Sequence, residues 1–209
     1  MSAAAVSDAD IAAWFEGKSF TSDWTSWHFP RWTNLLAPYR EAPAHLLEIG
    51  SWEGRSALFF LNYLPHARLT CVDPWTGNFE HAADPYFAAL VPDSERRFDE
   101  NTAAFAPRIE KIKDASARAL PRLALADRRF DIVYIDGSHL AVDVFADGAL
   151  AWPLVAPGGL IVFDDYEWYG FEDVTQNPKL GIDAFLRAYE GGYRTIERGY
   201  QIVIRKGTG

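Results

Sequence analysis

The sequence predicts an α/β protein: a doubly wound, mostly parallel sheet, a C-terminal antiparallel hairpin and an N-terminal helical cap rich in aromatic residues. From residue 45 onward, short apolar runs alternate with helical patterns, which is typical of successive βαβ units. Several of these runs end in or beside an acid. The last segment has the pattern of two strands joined at Gly199. Hydrophobic residues make up 49% of the 209 residues, enough for the core of one such domain.

We divide the chain into a helical cap over residues 1–43 and the α/β domain over residues 44–209. Within the cap, Ser7 is placed to begin a short helix, and a cluster of aromatic residues follows it. The helix carries Trp14 and Phe15, and the members of the cluster are Trp24, Trp27, His28, Phe29 and Trp32. We expect them either to pack on the sheet or to form a lid over a substrate pocket, and the sequence leaves both open.

The α/β domain begins with a strand at 45–50, a glycine-bearing turn and a helix at 54–64. Gly50 and Gly54 allow the backbone to approach a ligand, and the helix N-terminus offers free N–H groups. Trp52 stands where a dinucleotide fingerprint would have its middle glycine, so the pattern disfavours an NAD-dependent oxidoreductase.

The remaining elements follow from the same patterns. We expect strands at 68–73, 108–113, 130–136 and 160–164, helices at 94–106, 116–126, 140–152 and 180–190, an irregular segment at 74–93 and a turn at Pro157-Gly-Gly159. Ligands of such sheets bind beyond the carboxyl ends of the strands, near the point where the strand order reverses. The residues that close the strands are therefore candidates for a functional site.

Four aspartates close these strands. Asp73 ends the second strand, where an acid can accept hydrogen bonds from both ribose hydroxyls, although an ordinary loop acid would look the same. Asp136, Asp164 and Asp165 end the fourth and fifth strands. Three carboxylates on one rim repel one another, and a hard divalent cation such as Mg²⁺ would relieve that repulsion. Helix capping with one salt-bridged acid is the alternative.

One histidine follows this rim directly. His139 lies shortly after Asp136, and an unperturbed imidazole pKa near 6.5 suits a general base, although a lone histidine is more often structural. His28, within the aromatic cap, is a weaker second candidate.

The composition excludes several classes of protein. A net charge of −9 argues against a nucleic-acid partner and against attachment to acidic membranes. The single cysteine, Cys71, excludes an internal disulfide and a cysteine cluster for zinc. We find no signal peptide and no apolar run long enough to span a membrane, so we expect a cytoplasmic protein.

Three motifs together carry a resemblance. They are Leu47-Glu-Ile-Gly-Ser-Trp-Glu-Gly-Arg-Ser56, Tyr134-Ile-Asp-Gly-Ser-His139 and Pro157-Gly-Gly-Leu-Ile-Val-Phe-Asp-Asp-Tyr166. Over about residues 20–206 the chain resembles class I S-adenosylmethionine-dependent methyltransferases. Within that class it is similar to a bacterial small-molecule group related to the metal-dependent catechol and caffeoyl-CoA O-methyltransferases. The resemblance implies a Rossmann-like fold and methyl transfer to a small-molecule acceptor. It also implies two cofactors, S-adenosylmethionine and a divalent metal, and Mg²⁺ is the metal that we expect.

The resemblance also implies roles for individual residues. Ser56 would hold the methionine carboxylate, Asp73 the ribose hydroxyls, and Asp136, with His139, would serve catalysis. The residues implied to bind the cofactor are Glu48, Gly50, Ser51, Gly54, Ser56, Asp73, Asp114, Ala115, Ser116 and Asp136, and the metal ligands are Asp136, Asp164 and Asp165. His139 stands where the relatives have a catalytic lysine.

Alternatives to this function remain open at the level of sequence. One is a metal-independent methyltransferase of the same fold. Another is a metal-assisted hydroxylase-like relative or a non-catalytic cofactor-binding protein. The sequence does not identify the acceptor, and a homo-oligomer is possible.

Overall fold

The computed structural model describes residues 6–78, 82 and 84–208. Its centre is one seven-stranded sheet in the order β3-β2-β1-β4-β5-β7-β6. The strands are β1 (Ala44–Ile49), β2 (Ala67–Asp73), β3 (Ile109–Lys113), β4 (Phe130–Ile135), β5 (Val155–Phe163), β6 (Tyr193–Arg198) and β7 (Ile202–Lys206). The first five strands run parallel, and the terminal hairpin adds two antiparallel strands beside β5. This confirms the predicted fold class.

Seven α-helices are described, two of them before the sheet begins. They are α1 (Asp8–Trp14), α2 (Phe29–Leu36), α3 (Arg55–Tyr63), α4 (Pro85–Thr102), α5 (Ser116–Leu125), α6 (Ala141–Ala151) and α7 (Pro178–Ala188). Two buried apolar clusters, one on each face of the sheet, pack these helices against the strands. No helix in the described part of the chain is both long enough and apolar enough to cross a membrane.

The strand order reverses between β1 and β4. The chain moves outward from β1 through β2 to β3, returns to β4 on the other side of β1, and continues to β5. In β1, every position except His45 is buried, because both sheet faces are covered. The carboxyl ends of β1, β2, β4 and β5 therefore converge around the reversal point, where a crevice is expected.

Two predicted boundaries are wrong. Helix α4 begins at Pro85 rather than at 94, because the Asp84 side chain caps it by accepting a hydrogen bond from the Tyr86 N–H. A proline in the first turn loses no helical hydrogen bond, so Pro85 starts the helix instead of interrupting it. Part of the predicted irregular segment 74–93 lies outside the described residues.

Strand β5 also begins earlier than predicted, at Val155. The sequence Pro157-Gly-Gly159 is not a turn before the strand but an irregularity within it, where the pairing with β4 shifts register. Gly158 has a φ of +77°, which a glycine adopts without strain. Composition alone could not distinguish a bulge from a turn, because both favour glycine and proline.

The aromatic residues of the N-terminal segment pack on helix α3. Trp32 is 2% exposed and stacks on Phe60, and Phe29 stacks on Phe59 with ring centroids 4.4 Å apart. Trp24 and Trp27 differ, because each is 50% exposed at the edge of the crevice. The N-terminal segment thus contributes residues both to the core and to the wall of the crevice. The division of the chain into a cap over 1–43 and a domain over 44–209 stays a prediction.

Candidate active site

A cavity of about 630 Å³ lies at the carboxyl ends of the parallel strands, at the point where the strand order reverses. Its walls come from the turn after β1, the ends of β2, β4 and β5, the loop after β3, and aromatic residues of the N-terminal segment. Of the predicted site residues, those that line it are Gly50, Ser51, Ser56, Asp73, Ala115, Ser116, Asp136, His139, Asp164 and Asp165. The volume suits a small-molecule cofactor or substrate.

The glycine turn fits closely against the end of β4. Gly50 has a φ of +84°, and a Cβ atom placed on it would lie 1.9 Å from the carbonyl oxygen of Asp136. Only glycine satisfies both conditions. Gly54, with a φ of +80°, caps helix α3 and faces Phe98 and Thr102 of α4. The turn therefore joins the cavity floor to two neighbouring elements.

Asp73 organises the backbone around this turn. One of its carboxylate oxygens accepts hydrogen bonds of 2.9 Å from the N–H groups of Ser51 and Trp52, and the other accepts one of 2.6 Å from Trp75. The carboxylate is 8% exposed and lines the cavity. Its position at the end of β2 is the predicted one.

Glu48 does not line the cavity, contrary to expectation. It is fully buried beneath the turn, where it accepts hydrogen bonds from the hydroxyls of Ser51 (2.6 Å) and Ser56 (2.5 Å). Burial raises the pKa of Glu48 to about 7, despite those hydrogen bonds. Ser56 reaches the cavity wall, but in this structure its hydroxyl is directed to Glu48. Glu48 and the two serine hydroxyls therefore support the turn from its buried side.

Asp114 is also placed differently from the prediction. Its carboxylate binds Arg118 and Arg122, each at 2.5 Å, and these hydrogen bonds, with that of Arg122 the largest, lower its pKa to about 2. Asp114 is not among the cavity-lining residues, whereas the next two residues, Ala115 and Ser116, are. The basic residues of α5, one and two turns on, hold this acid away from the cavity.

Asp136 and Asp164 lie close together at the reversal point. The Tyr134 hydroxyl contacts both, with its oxygen 2.8 Å from Oδ2 of Asp136. Burial, followed by the charges of Asp164 and Asp165, holds the pKa of Asp136 well above its ordinary range. The Tyr134 hydroxyl can donate only one hydrogen bond. Its contacts with both Asp136 and Asp164 are therefore hydrogen bonds when Asp136 carries a proton. Tyr134 was not predicted, although it points to the same side of β4 as Asp136, two residues on.

Burial alone would raise the pKa of Asp164, yet its pKa lies below the ordinary value, because several hydrogen bonds stabilise the carboxylate. His28 Nε2 lies 3.5 Å from Oδ1, and the Gln201 side-chain amide donates to Oδ2 at 2.9 Å. Gln201 in turn accepts a hydrogen bond from the Trp32 indole N–H. The N-terminal segment thus reaches the carboxylates through buried polar contacts that the sequence did not reveal.

His139 faces Asp165. The Nε2 atom of His139 lies 3.0 Å from Oδ2 of Asp165, while the Tyr200 hydroxyl donates to the other oxygen at 2.8 Å. The imidazole stacks on Trp168 with ring centroids 4.4 Å apart. Asp165 itself has a φ of +59°, a conformation that aspartate tolerates better than most residues. A carboxylate that orients an imidazole is an arrangement suited to general-base catalysis.

The three aspartates offer hard oxygen ligands, which is the chemistry that Mg²⁺ prefers. In the structure, however, Asp165 turns toward His139 while Asp136 and Asp164 share Tyr134. Within residues 6–78, 82 and 84–208, no three His, Cys, Asp or Glu side chains are arranged as a metal site. The three carboxylates are thus ligands of the kind that Mg²⁺ prefers. In this structure their side chains form a hydrogen-bonded network with Tyr134 and His139.

The sheet order, the reversal-point cavity and the acids at the strand ends are those expected of a class I methyltransferase. In agreement, residues 47–166 match the model of a family described as a methyltransferase domain. The match covers more than half of the chain, and the protein belongs to that family. This confirms the resemblance to S-adenosylmethionine-dependent methyltransferases.

Individual relatives are more distant. Protein R132 of Acanthamoeba polyphaga mimivirus is 28% identical over 147 residues, which are 68% of this chain and 60% of that protein. The mycinamicin VI 2''-O-methyltransferase of Micromonospora griseorubida is 27% identical over 155 residues, 69% of this chain and 33% of that enzyme. The chain thus spans between a third and three fifths of the length of these relatives.

Among solved structures, the methyltransferase MycE of the mycinamycin biosynthetic pathway, in complex with Mg, SAH and mycinamycin VI, is similar with a TM-score of 0.64. The superposition covers 94% of this chain and 53% of MycE, with 22% sequence identity. At 22% sequence identity, the similarity to MycE supports a shared fold.

Proposed function

We propose that this protein transfers the methyl group of S-adenosylmethionine to a hydroxyl of a small molecule. The observation that carries the proposal is that the glycine turn and Asp73 line the same cavity as the carboxylates of β4 and β5. The glycine turn and Asp73 suit the binding of a nucleoside, and the carboxylates of β4 and β5 suit the activation of a hydroxyl. The family membership and the relative named for O-methyl transfer support the same activity.

Several residues would bind the cofactor. Asp73 would accept hydrogen bonds from the ribose hydroxyls, and Gly50 would allow the backbone of the turn to approach the ligand. Ser56 would turn from Glu48 toward the methionine carboxylate. Bound S-adenosylmethionine supplies a methyl group on a positively charged sulfur, and the acidic cavity favours that charge.

His139 would take the proton of the acceptor hydroxyl. Asp165 keeps the imidazole oriented and would stabilise its protonated form. Transfer would form the oxygen–carbon bond and break the carbon–sulfur bond, with the electron pair of the broken bond going to sulfur. The remaining contribution of the protein is to hold oxygen, carbon and sulfur in line.

A divalent metal would be held by Asp136, Asp164 and Asp165, the acids that end the two strands. When bound there, Mg²⁺ would lower the pKa of an acceptor hydroxyl that coordinates it. The MycE structure that contains Mg and SAH supports this part of the proposal.

The acceptor we expect is uncharged or cationic and partly apolar. Trp24, Trp27, Trp168 and Tyr200 line the cavity and supply apolar and planar walls. Among the described lining residues the acids far outnumber the bases, and Arg55 is already bound to Asp23 at 2.6 Å. An acceptor with phosphate or carboxylate groups would meet repulsion.

The test is transfer of a labelled methyl group from S-adenosylmethionine to a panel of hydroxyl compounds. We expect incorporation into neutral or cationic acceptors, and a lower rate when EDTA removes divalent metal. No incorporation into any acceptor, together with no change in melting temperature on adding S-adenosylhomocysteine, would refute the proposal. Full activity in EDTA would refute only the role of the metal.

A metal-independent methyl transfer is the second candidate. The 3.0 Å contact between His139 and Asp165 favours it, because that arrangement activates a hydroxyl without further help. It predicts activity that resists EDTA and is lost on substitution of His139.

A further inference from the structure

Asp147 is a buried acid that no step of the proposed reaction uses. It lies in the second turn of α6, its side chain is 5% exposed, and that remaining surface faces the cavity. The Ser116 hydroxyl is its hydrogen-bond partner. A Cβ atom on Gly137 would lie 3.5 Å from Oδ2 of Asp147, so the small residue after β4 leaves the carboxylate accessible. A buried acid with little compensation needs a ligand or a structural reason.

The place of Asp147 in the cavity suggests which part of a ligand it meets. Asp73, at the end of β2, marks the ribose. The reacting end must face Asp136 and His139, so the base lies on the opposite side of the ribose, toward the loop after β3. Asp147 lies on that side, since it contacts Ser116, the first residue of α5, directly after that loop.

Two other acids lie near this end of the cavity, and each is engaged by other side chains. Asp114 is bound by Arg118 and Arg122 and does not line the cavity. Asp143, one turn before Asp147 in α6, also lines the cavity, but it accepts a hydrogen bond from the Ser138 hydroxyl at 2.7 Å. Asp147 is therefore the lining acid that we expect to meet the base.

The donors and acceptors at this end match an aminopurine. A carboxylate accepts a hydrogen bond from an exocyclic amino group. The N–H groups of Ser116 and Ala117, in the first turn of α5, lack intrahelical acceptors and can donate to ring nitrogens. A 6-oxopurine reverses this pattern at two positions, because its carbonyl accepts and its N1 donates. Burial first, then the charge of Asp143, raises the pKa of Asp147 to about 7 against the Ser116 hydrogen bond, so a further donor would stabilise the ionised carboxylate.

We propose that Asp147, positioned by Ser116, recognises the exocyclic amino group of the cofactor's adenine and makes the site selective against 6-oxopurines. This inference rests on the proposed function, since it assumes that the cavity binds S-adenosylmethionine. It assigns to Asp147 a part in cofactor binding, which the resemblance implied for Asp114.

Calorimetric titrations of S-adenosylhomocysteine and its 6-oxo counterpart, S-inosylhomocysteine, test the inference. We expect the wild type to bind the adenine compound at least about tenfold more tightly, as loss of a hydrogen bond to a charged group implies. In Asp147→Asn the ratio should fall to about threefold or less, because an amide can donate to the carbonyl. The ratio of two affinities in one variant is insensitive to a general loss of stability.

Two further variants complete the design. Asp131→Asn, at the other end of β4, where its carboxylate accepts a hydrogen bond from the His45 N–H, is the matched control and should keep the wild-type ratio. Ser116→Ala should lower the ratio partially, and it replaces Asp147→Asn if that variant does not fold.

An unchanged ratio in Asp147→Asn, or a ratio that changes only in Asp114→Asn, would overturn the inference. A wild type that binds both compounds equally would overturn it and leave the proposed function intact. A wild type that binds neither compound would overturn both.

Discussion

The acids on the two sides of the cavity have different surroundings. On the β1–β2 side, hydroxyl groups satisfy Glu48 and backbone N–H groups satisfy Asp73. On the β4–β5 side, Asp136 and Asp164 face each other across one tyrosine, and Asp165 faces a histidine. The first set holds the backbone of the turn in place. The second set places three carboxylates close together beside a cavity and shifts the pKa of Asp136, which is the arrangement expected where chemistry is done.

The largest effect should come from the contact that joins the two sides. Gly50→Ala should destabilise the protein by more than about 4 kcal/mol or prevent folding, because a Cβ atom would overlap the Asp136 carbonyl oxygen and the φ is +84°. Gly17→Ala is the matched control, since Gly17 has a φ of +70° but nothing within 4 Å of the added atom. It should cost about 1 kcal/mol. Equal losses in urea unfolding would show that the close approach is unimportant.

On the β4–β5 side, His139→Gln should lower kcat by about 10²- to 10³-fold, the usual contribution of a general base. The melting temperature should change little, because the imidazole lies at the cavity wall. Steady-state kinetics with a saturating acceptor measure the effect. Activity within about threefold of the wild type would exclude His139 as the base.

On the β1–β2 side, the pH dependence of stability should reveal Glu48. Its pKa is about 7 in the folded protein and near 4.5 when unfolded, so the folded state binds the extra proton between these values. The free energy of unfolding therefore falls as pH rises from about 4.5 to 7, by about 3 kcal/mol for this group.

Glu48→Gln should remove that part of the slope, while Asp147, whose pKa is raised in the same direction, retains its own part. Urea unfolding at pH 5 and pH 7.5 compares the two proteins. A slope identical to that of the wild type would show that Glu48 is ionised in the fold at neutral pH.

The smallest effect is expected at the exposed rim. Trp24 is half exposed and packs near Trp52 and Phe87, so Trp24→Ala should raise the acceptor KM by several-fold with kcat within about twofold. Tyr169→Ala is a control, because Tyr169 is exposed but is not among the cavity-lining residues. If both variants behave alike, Trp24 does not contact the acceptor.

The fold could be predicted because alternating apolar runs and helical patterns leave few other arrangements, and the terminal hairpin followed from Gly199. Residue order also placed the acids at the strand ends, since parallel strands share their carboxyl edge. The order of residues did not reveal which side chain binds each of these acids. Asp114 turns away because of Arg118 and Arg122 on the next helix, and only the fold brings His28 to Asp164.

Asp147 escaped notice for a related reason. An acid in the second turn of a helix is ordinarily exposed, and its burial depends on how α6 lies against the loop after β3. The packing of α6 against α5 places its side chain beside Ser116. The signal available in the sequence was weak: an acid between Ala146 and Gly148, in a helix of otherwise mostly apolar residues.

The most direct test of the contrast between the two sides is Asp136→Asn, followed by urea unfolding and labelled methyl transfer. Because burial and the charges of Asp164 and Asp165 raise the pKa of Asp136 and so disfavour its ionised form, an amide should preserve or increase stability. If Asp136 serves chemistry, methyl transfer should fall by about 100-fold or more in a protein that folds as well as the wild type. A variant that unfolds readily, or one that transfers methyl groups at the wild-type rate, would contradict the account.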